Sequence, residues 1–251
     1  MRATVDLSLF LPSLESGVDI VTPGKRLARE ITESWVRHRG SQDPVVATPK
    51  VATVDSWLER AWLQAVEAGQ LPPMRLLTPQ QDLTVWQQLI RDDLEERLGF
   101  SLTHPRAAAQ RAQAAWNKLI GYGGGELSGL WPAFQYDEDC QVFSDWAHRY
   151  RMRLDELGGV SRYGAYQQLL SISVTERSLV GLFTVPDLPP LTLKTLHHLA
   201  DVHPIEPRKD DHAGIPVQSF ATRDDELSAA ARWAHSGNDV PGRRVGIVLL
   251  D

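Results

Sequence analysis

The chain has a single cysteine, Cys140, so it holds no internal disulfide and no cysteine-rich zinc site. It has no apolar run of membrane-spanning length. Its N-terminus, MRATVDLSLFLPSLESG, lacks the charged start and apolar centre of a signal peptide. These absences predict a cytoplasmic protein with no membrane partner. Positive charge is also short. The formal net charge is −6, so any contact with nucleic acid must use a local patch rather than overall attraction. No internal repeat and no low-complexity tract is present.

What is present is enough to bury a full core: 251 residues, 42% of them hydrophobic, fit one large domain or one domain and part of another. The most informative stretch is residues 18–36, VDIVTPGKRLAREITESWV. Val18–Val21 reads as a short strand, Thr22-Pro23-Gly24 as a turn, and Lys25–Arg37 as a helix with Leu27, Ala28, Ile31 and Trp35 on one face. A strand–turn–helix with Lys25 and Arg26 in the first helical turn is a place to hold a phosphate. A working Walker A loop also needs a glycine five residues before the Gly-Lys pair and a Ser or Thr after the Lys, for magnesium. Those positions hold Asp19 and Arg26. The expectation is a phosphate-binding geometry without ATP chemistry.

The rest of the chain predicts an α/β frame interrupted by a helical block. Lys50–Thr53 reads as a second strand. Ser56-Trp57-Leu58-Glu59 has capping-box spacing and predicts the next helix start, with Val54, Leu58, Ala61, Trp62 and Ala65 on one stripe. Residues 76–171 read as nearly all helical. Thr78-Pro79-Gln80-Gln81 opens a helix with Leu83, Trp86, Ile90, Leu94 and Leu98 on one face, and Pro105 opens another. A third helix spans roughly 137–157 and reads as the longest, stopped by Gly158-Gly159. Ser178–Thr184 then reads as a strand, Pro190–Ala200 as a helix, Ile215–Phe220 as a strand and Asp225–His235 as a helix. The polar, proline-rich stretch His203–Gly214 predicts a domain boundary. Arg244–Leu250 is a β-branched apolar run that reads as a central strand, which predicts that this chain is the front part of a longer protein.

Several clusters have a simpler structural reading. Gly121-Tyr122-Gly123-Gly124-Gly125 lacks a following Lys-Ser/Thr and reads as a helix stop. His197, His198, Asp201 and His203 lack the spacing of zinc enzymes and sit where a helix C-terminus welcomes positive charge. Pro186-Asp187 with Glu206-Pro207-Arg208 echoes a metal-dependent nuclease pattern, but arginine replaces the lysine and prolines flank Glu206. Most of the eight tryptophans fall on apolar helix stripes, where core packing outweighs base stacking. The densest basic patch is Lys25, Arg26, Arg29, Arg37 and Arg39, diluted by Glu30 and Glu33. No catalytic set, no metal site and no cofactor is expected.

Three segments, in order, resemble one family. They are DIVTPGKRLAREITESW with PKVATVDSWLERAW, then SLVGLFTVPDLPPLTLKTLHHLA, then PVQSFATRDDELSAAARWAH with RRVGIVLL. Together they are similar to the proteobacterial "probable DNA repair protein" family, whose members resemble AddB-type helicase–nuclease subunits. The resemblance implies a helicase-like (P-loop NTPase-like) α/β fold with a parallel sheet, a large helical insertion and a degenerate nucleotide site. It implies core segments at 1–75 and 172–205, an insertion at 76–171, and the start of a second α/β domain at 206–251. Where active relatives carry a Walker B Asp-Glu, this chain has Gly181-Leu182. Without that acidic pair nothing holds magnesium or orients the attacking water. In family members a PD-(D/E)xK nuclease domain follows.

The expected role is a catalytically silent scaffold that binds DNA weakly, without sequence preference, and docks a helicase subunit. Thr22, Lys25, Arg26 and Arg29 are the candidates for the DNA backbone. The alternatives are a protein-interaction module without nucleic-acid contact, and an active NTPase with an unusual phosphate loop.

Overall fold

A short apolar strand buried on both sides fits the inside of a parallel sheet covered by helices. The computed structural model places Ile20 and Val21 in that setting. It describes residues 5–40, 45–98, 105–123, 132, 134, 137–183, 188–206 and 218–238. The elements run in the order α1 (Leu11–Glu15), β1 (Asp19–Thr22), α2 (Lys25–Gly40), β2 (Val51–Thr53), α3 (Val54–Glu67), β3 (Arg75–Leu76), α4 (Pro79–Leu98) and α5 (Pro105–Tyr122). They continue with α6 (Glu138–Glu156), β4 (Gly159–Val160), α7 (Arg162–Leu169), β5 (Ser178–Phe183), α8 (Pro190–Leu199), β6 (Ala200–Ile205) and α9 (Arg223–Asn238). Among the described residues no helix is long and apolar enough to cross a membrane.

The main sheet has four parallel strands in the order β2-β1-β5-β6. Side chains alternate across it. Ile20, Ile205 and Phe183 meet Phe10, Leu14, Ile31 and Trp35 on one face. Val21, Val180 and Leu182 meet α3, α8 and the helical block on the other. The connection from β1 to β2 runs through α2 on the first face, and that from β5 to β6 runs through α8 on the second. The chain therefore winds outward in opposite directions from the β1–β5 pair, with both crossovers of the same hand.

The helical block is entered and left through a small second sheet. Arg75–Leu76 pairs in parallel with Gly159–Val160, and Gly158, at φ +57, ends α6 and turns the chain into β4. Inside the block, Trp86 of α4 stacks on Tyr150 of α6 with ring centres 4.2 Å apart, and Trp116 of α5 meets Tyr150 edge-on. Trp35, Trp62, Trp86 and Trp116 are all buried, as their helical spacing predicts. The Thr78–Gln81 box forms in both directions: Gln81 N–H donates to Thr78 Oγ1 at 3.3 Å, and Thr78 N–H donates to Gln81 Oε1 at 3.0 Å.

Other expectations shift. β1 lies one residue later than Val18–Val21. The cap of α3 is Thr53, whose Oγ1 accepts from Ser56 N–H at 3.1 Å, so Ser56 closes the box instead of opening it. The longest described helix is α4, with 20 residues, against 19 for α6. His203 belongs to β6, where the ladder to β5 outweighs the low strand preference of His203 and Pro204. Of the expected strand 215–220, residues 218–220 carry no strand structure, and 215–217 lie outside the described residues. So do 244–250, Gly124-Gly125, Asp187, Pro207-Arg208 and the side chains of Leu94 and Leu98. Helix α9 begins at Arg223, capped by Thr222, and leaves Trp233 58% exposed.

Candidate nucleic-acid interface

In a parallel sheet that winds both ways, the crevice at the strands' C-terminal ends opens where the direction reverses. Here that point lies between β1 and β5, beside the turn at Pro23-Gly24 and the start of α2. Lys25, Arg26 and Arg29 of the basic cluster therefore lie at the edge where such sheets take their ligands.

The local geometry differs from a phosphate loop in a specific way. Asp19, at the position of the missing first glycine, is the first residue of β1. The strand continues through Thr22, paired with β2 by Thr22↔Thr53 and with β5 by Val21↔Leu182. Most of the stretch that would cradle phosphate in a Walker loop is thus strand, with backbone groups engaged in the ladder. Only Pro23 and Gly24 remain as loop. Gly24 has no positive φ, and a β-carbon there would meet nothing within 4 Å, so the turn does not depend on glycine. Asp19 itself accepts from Trp57 Nε1 at 2.9 Å and lies 3.8 Å from Lys50 Nζ. Its carboxylate ties β1 to α3.

The four candidate residues divide. Thr22 is fully buried, and its hydroxyl lies 3.2 Å from Gly24 O and 3.3 Å from Ala52 O, so it braces the turn and presents nothing to solvent. Lys25 is exposed and makes no ion pair among the described residues. Arg26 pairs with Glu30 at 3.2 Å, and Arg29 with Glu33 at 2.6 Å. Both arginines are mostly exposed, so solvent screens these i,i+4 pairs and leaves them weak. The hydrogen bond to Glu33 also holds the Arg29 pKa above its ordinary value. Arg37 bonds to Glu33 O and Ser34 Oγ, while Arg39 lies 5.2 Å over the Trp35 ring. These two sit at the far end of α2, roughly 18 Å from Lys25, and belong to the helix's own packing.

Gly181-Leu182, where the resemblance places a Walker B pair, is equally closed. Gly181 pairs with Ile20 and His203, and Leu182 packs into the larger core. Among the described residues no group of three or more His, Cys, Asp or Glu could hold a metal. His198 Nε2 lies 3.0 Å from Ile172 O, and Asp201 pairs with Arg177 at 3.6 Å, so the histidine-rich helix end makes separate contacts.

A second polar centre went unread in the sequence. Asp82, in the first turn of α4, is 6% exposed. It accepts from Tyr150 Oη, and from Gln113 Nε2 at 2.7 Å. Burial raises its pKa above the ordinary carboxylate range, opposed by those two hydrogen bonds and by Arg162. Nearby, Arg162 at the start of α7 binds Asp55 at 2.8 Å and Glu59 at 3.4 Å, while Tyr166 Oη donates to Asp55 at 2.9 Å. Burial acts to lower the Arg162 pKa, and the carboxylates around it raise it overall. Asp82 reads as an ordinary helix-start acid. Its i,i+4 alignment with Trp86 and Ile90 is the signal that it faces the core. No protein-family model matches this chain, and no curated protein is significantly similar to it.

Proposed function

We propose that this chain is a catalytically silent, helicase-like N-terminal region of a DNA-repair protein of the double-strand-break-processing, helicase–nuclease type. It serves as a scaffold that contacts DNA and docks a helicase subunit. One observation carries the DNA part: the first two turns of α2 set Lys25, Arg26 and Arg29, all exposed, beside the switch point of a parallel sheet. Side chains so placed bind phosphate without reading sequence. The three-segment resemblance supports the repair context, the P-loop NTPase-like ancestry and the subunit partner.

The test is fluorescence anisotropy with mixed-sequence single-stranded oligonucleotides at two salt concentrations. Since about three cations converge, the salt slope is expected to be shallow, on the order of two to three ions. Lys25→Ala with Arg26→Ala weakens binding in this reading; unchanged binding would place the interface elsewhere. A protein-interaction role without DNA is the second reading, and exposed Trp233 on α9 favours it. Absence of binding even at low salt decides for that role.

A further inference from the structure

The cleft between α4, α5 and α7 combines unused hydrogen-bonding groups with an aromatic ring at the same sheet edge as the basic turn. Its volume is about 100 Å³, and Asp82, Gln113, Asn117, Arg162 and Tyr163 line it. Room for about three water-sized groups admits the edge of one planar ring. The Asn117 side chain and the Tyr163 hydroxyl have no hydrogen-bond partner among the described residues. Gln113 uses its amide nitrogen on Asp82 and on Pro79 O. The cleft thus offers both donors and acceptors.

Its position follows from the strands that flank β1. Arg162 is tied to Asp55, two residues past the end of β2. The Tyr163 ring lies against Gly121, where a β-carbon would be 3.3 Å from Tyr163 Cζ and 3.2 Å from Pro189, the residue before α8. The cleft therefore hangs over the helix starts that follow β2 and β5, each strand about 4.8 Å from β1. Glycine at 121 lets the ring approach that closely.

Charge selects the ligand. Asp82, Asp55 and Glu59 outnumber Arg162, which disfavours a phosphate or carboxylate inside the cleft. A neutral planar group with mixed donors and acceptors suits it, and a nucleobase edge has that character. We propose that this cleft receives a base of single-stranded nucleic acid: Tyr163 contacts the ring, Asn117 bonds its edge, and the phosphates stay outside, toward Lys25 and Arg26. This rests on the DNA-binding reading above.

The experiment compares binding of the full chain to two oligonucleotides of equal length, one carrying bases and one abasic throughout, at low salt. The base-bearing strand is expected to bind about five- to tenfold more tightly, the lower part of the range for base–aromatic stacking. Asn117→Ala and Tyr163→Leu each remove that preference and leave abasic binding unchanged, whereas Lys25→Ala with Arg26→Ala weakens both strands alike. The Asn117 side chain makes no hydrogen bond among the described residues, so its variant keeps the fold and decides the matter if Tyr163→Leu does not fold. Equal affinity for the two strands, with Lys25 and Arg26 still required, overturns the base cleft and leaves the phosphate interface standing. No binding of either strand overturns both.

Discussion

A β-carbon built on Gly181 would lie 2.8 Å from Cδ1 of Ile205, closer than real carbon atoms approach. The two residues sit on neighbouring strands and share the face covered by α1 and α2. The glycine at 181 therefore has a structural cause: Ile205 of the adjacent strand fills the space a side chain would take. An acidic residue at 181 would enter a closed apolar layer.

This relationship makes the first prediction. Gly181→Ala is expected to destabilise the protein by about 1–3 kcal/mol through overpacking. Ile205→Val removes the Cδ1 that clashes, so the double variant Gly181→Ala with Ile205→Val recovers much of the loss. Denaturant unfolding of the four proteins in a double-mutant cycle measures the coupling. Strictly additive effects would show that the two residues do not compete for the same space.

The second prediction concerns Asp82. Its folded-state pKa is raised, chiefly by burial, so between the unfolded value and the folded value the folded protein holds the extra proton. The stabilising contribution is fully present below the unfolded pKa and is lost as pH rises through the folded pKa. Relative to Asp82→Asn, the wild type should therefore lose stability as pH rises from about 4. Chemical denaturation of both proteins at matched pH values reads the difference. The opposite slope would mean that the Tyr150 and Gln113 hydrogen bonds outweigh burial and depress the pKa.

The frame of the fold is legible because each element satisfies a local rule. Ile31 and Trp35 lie one helical turn apart, Ile20 and Val21 need two covered faces, and Thr78 and Gln81 cap each other within four residues. What escapes is set by distant partners. β6 contains a histidine and a proline and is a strand only because β5 runs beside it; β3 and β4, two residues each, exist only as a pair. The geometry of the turn before α2 escapes for the same reason. The spacing of Asp19 and Gly24 does not reveal that the ladder to β2 extends through Thr22 and leaves a two-residue turn. The polar cleft draws on α4, α5 and α7, whose approach no local pattern encodes.

The third prediction tests how α7 is held to α3. Arg162→Met removes the ion pairs with Asp55 and Glu59 but keeps much of the side-chain packing. All three side chains are more than a third exposed, so solvent screens the pairs. The expected loss is about 1 kcal/mol, shrinking in high salt. Thermal unfolding at low and high ionic strength checks both parts. A salt-independent loss would assign the effect to packing of the side-chain stem.

The last prediction is that the chain does not bind ATP with magnesium at physiological concentrations. Three arrangements point the same way. The cradle is mostly strand, since β1 stays in the ladder to Thr22, and only Pro23 and Gly24 form the turn. A Ser or Thr after Lys25 would supply a magnesium ligand, but Arg26 stands there and pairs with Glu30. Gly181 and Leu182 bring no carboxylate to the neighbouring strand, and the space above Gly181 belongs to Ile205. Each gap removes a different part of the binding energy: backbone amides for the phosphates, a ligand for the ion, and acids for the ion and the water. Calorimetric titration with ATP and magnesium is therefore expected to be flat. A sub-millimolar affinity lost in Lys25→Ala would overturn this, since it would require the end of β1 to leave the sheet and form the loop that the fold now holds as strand.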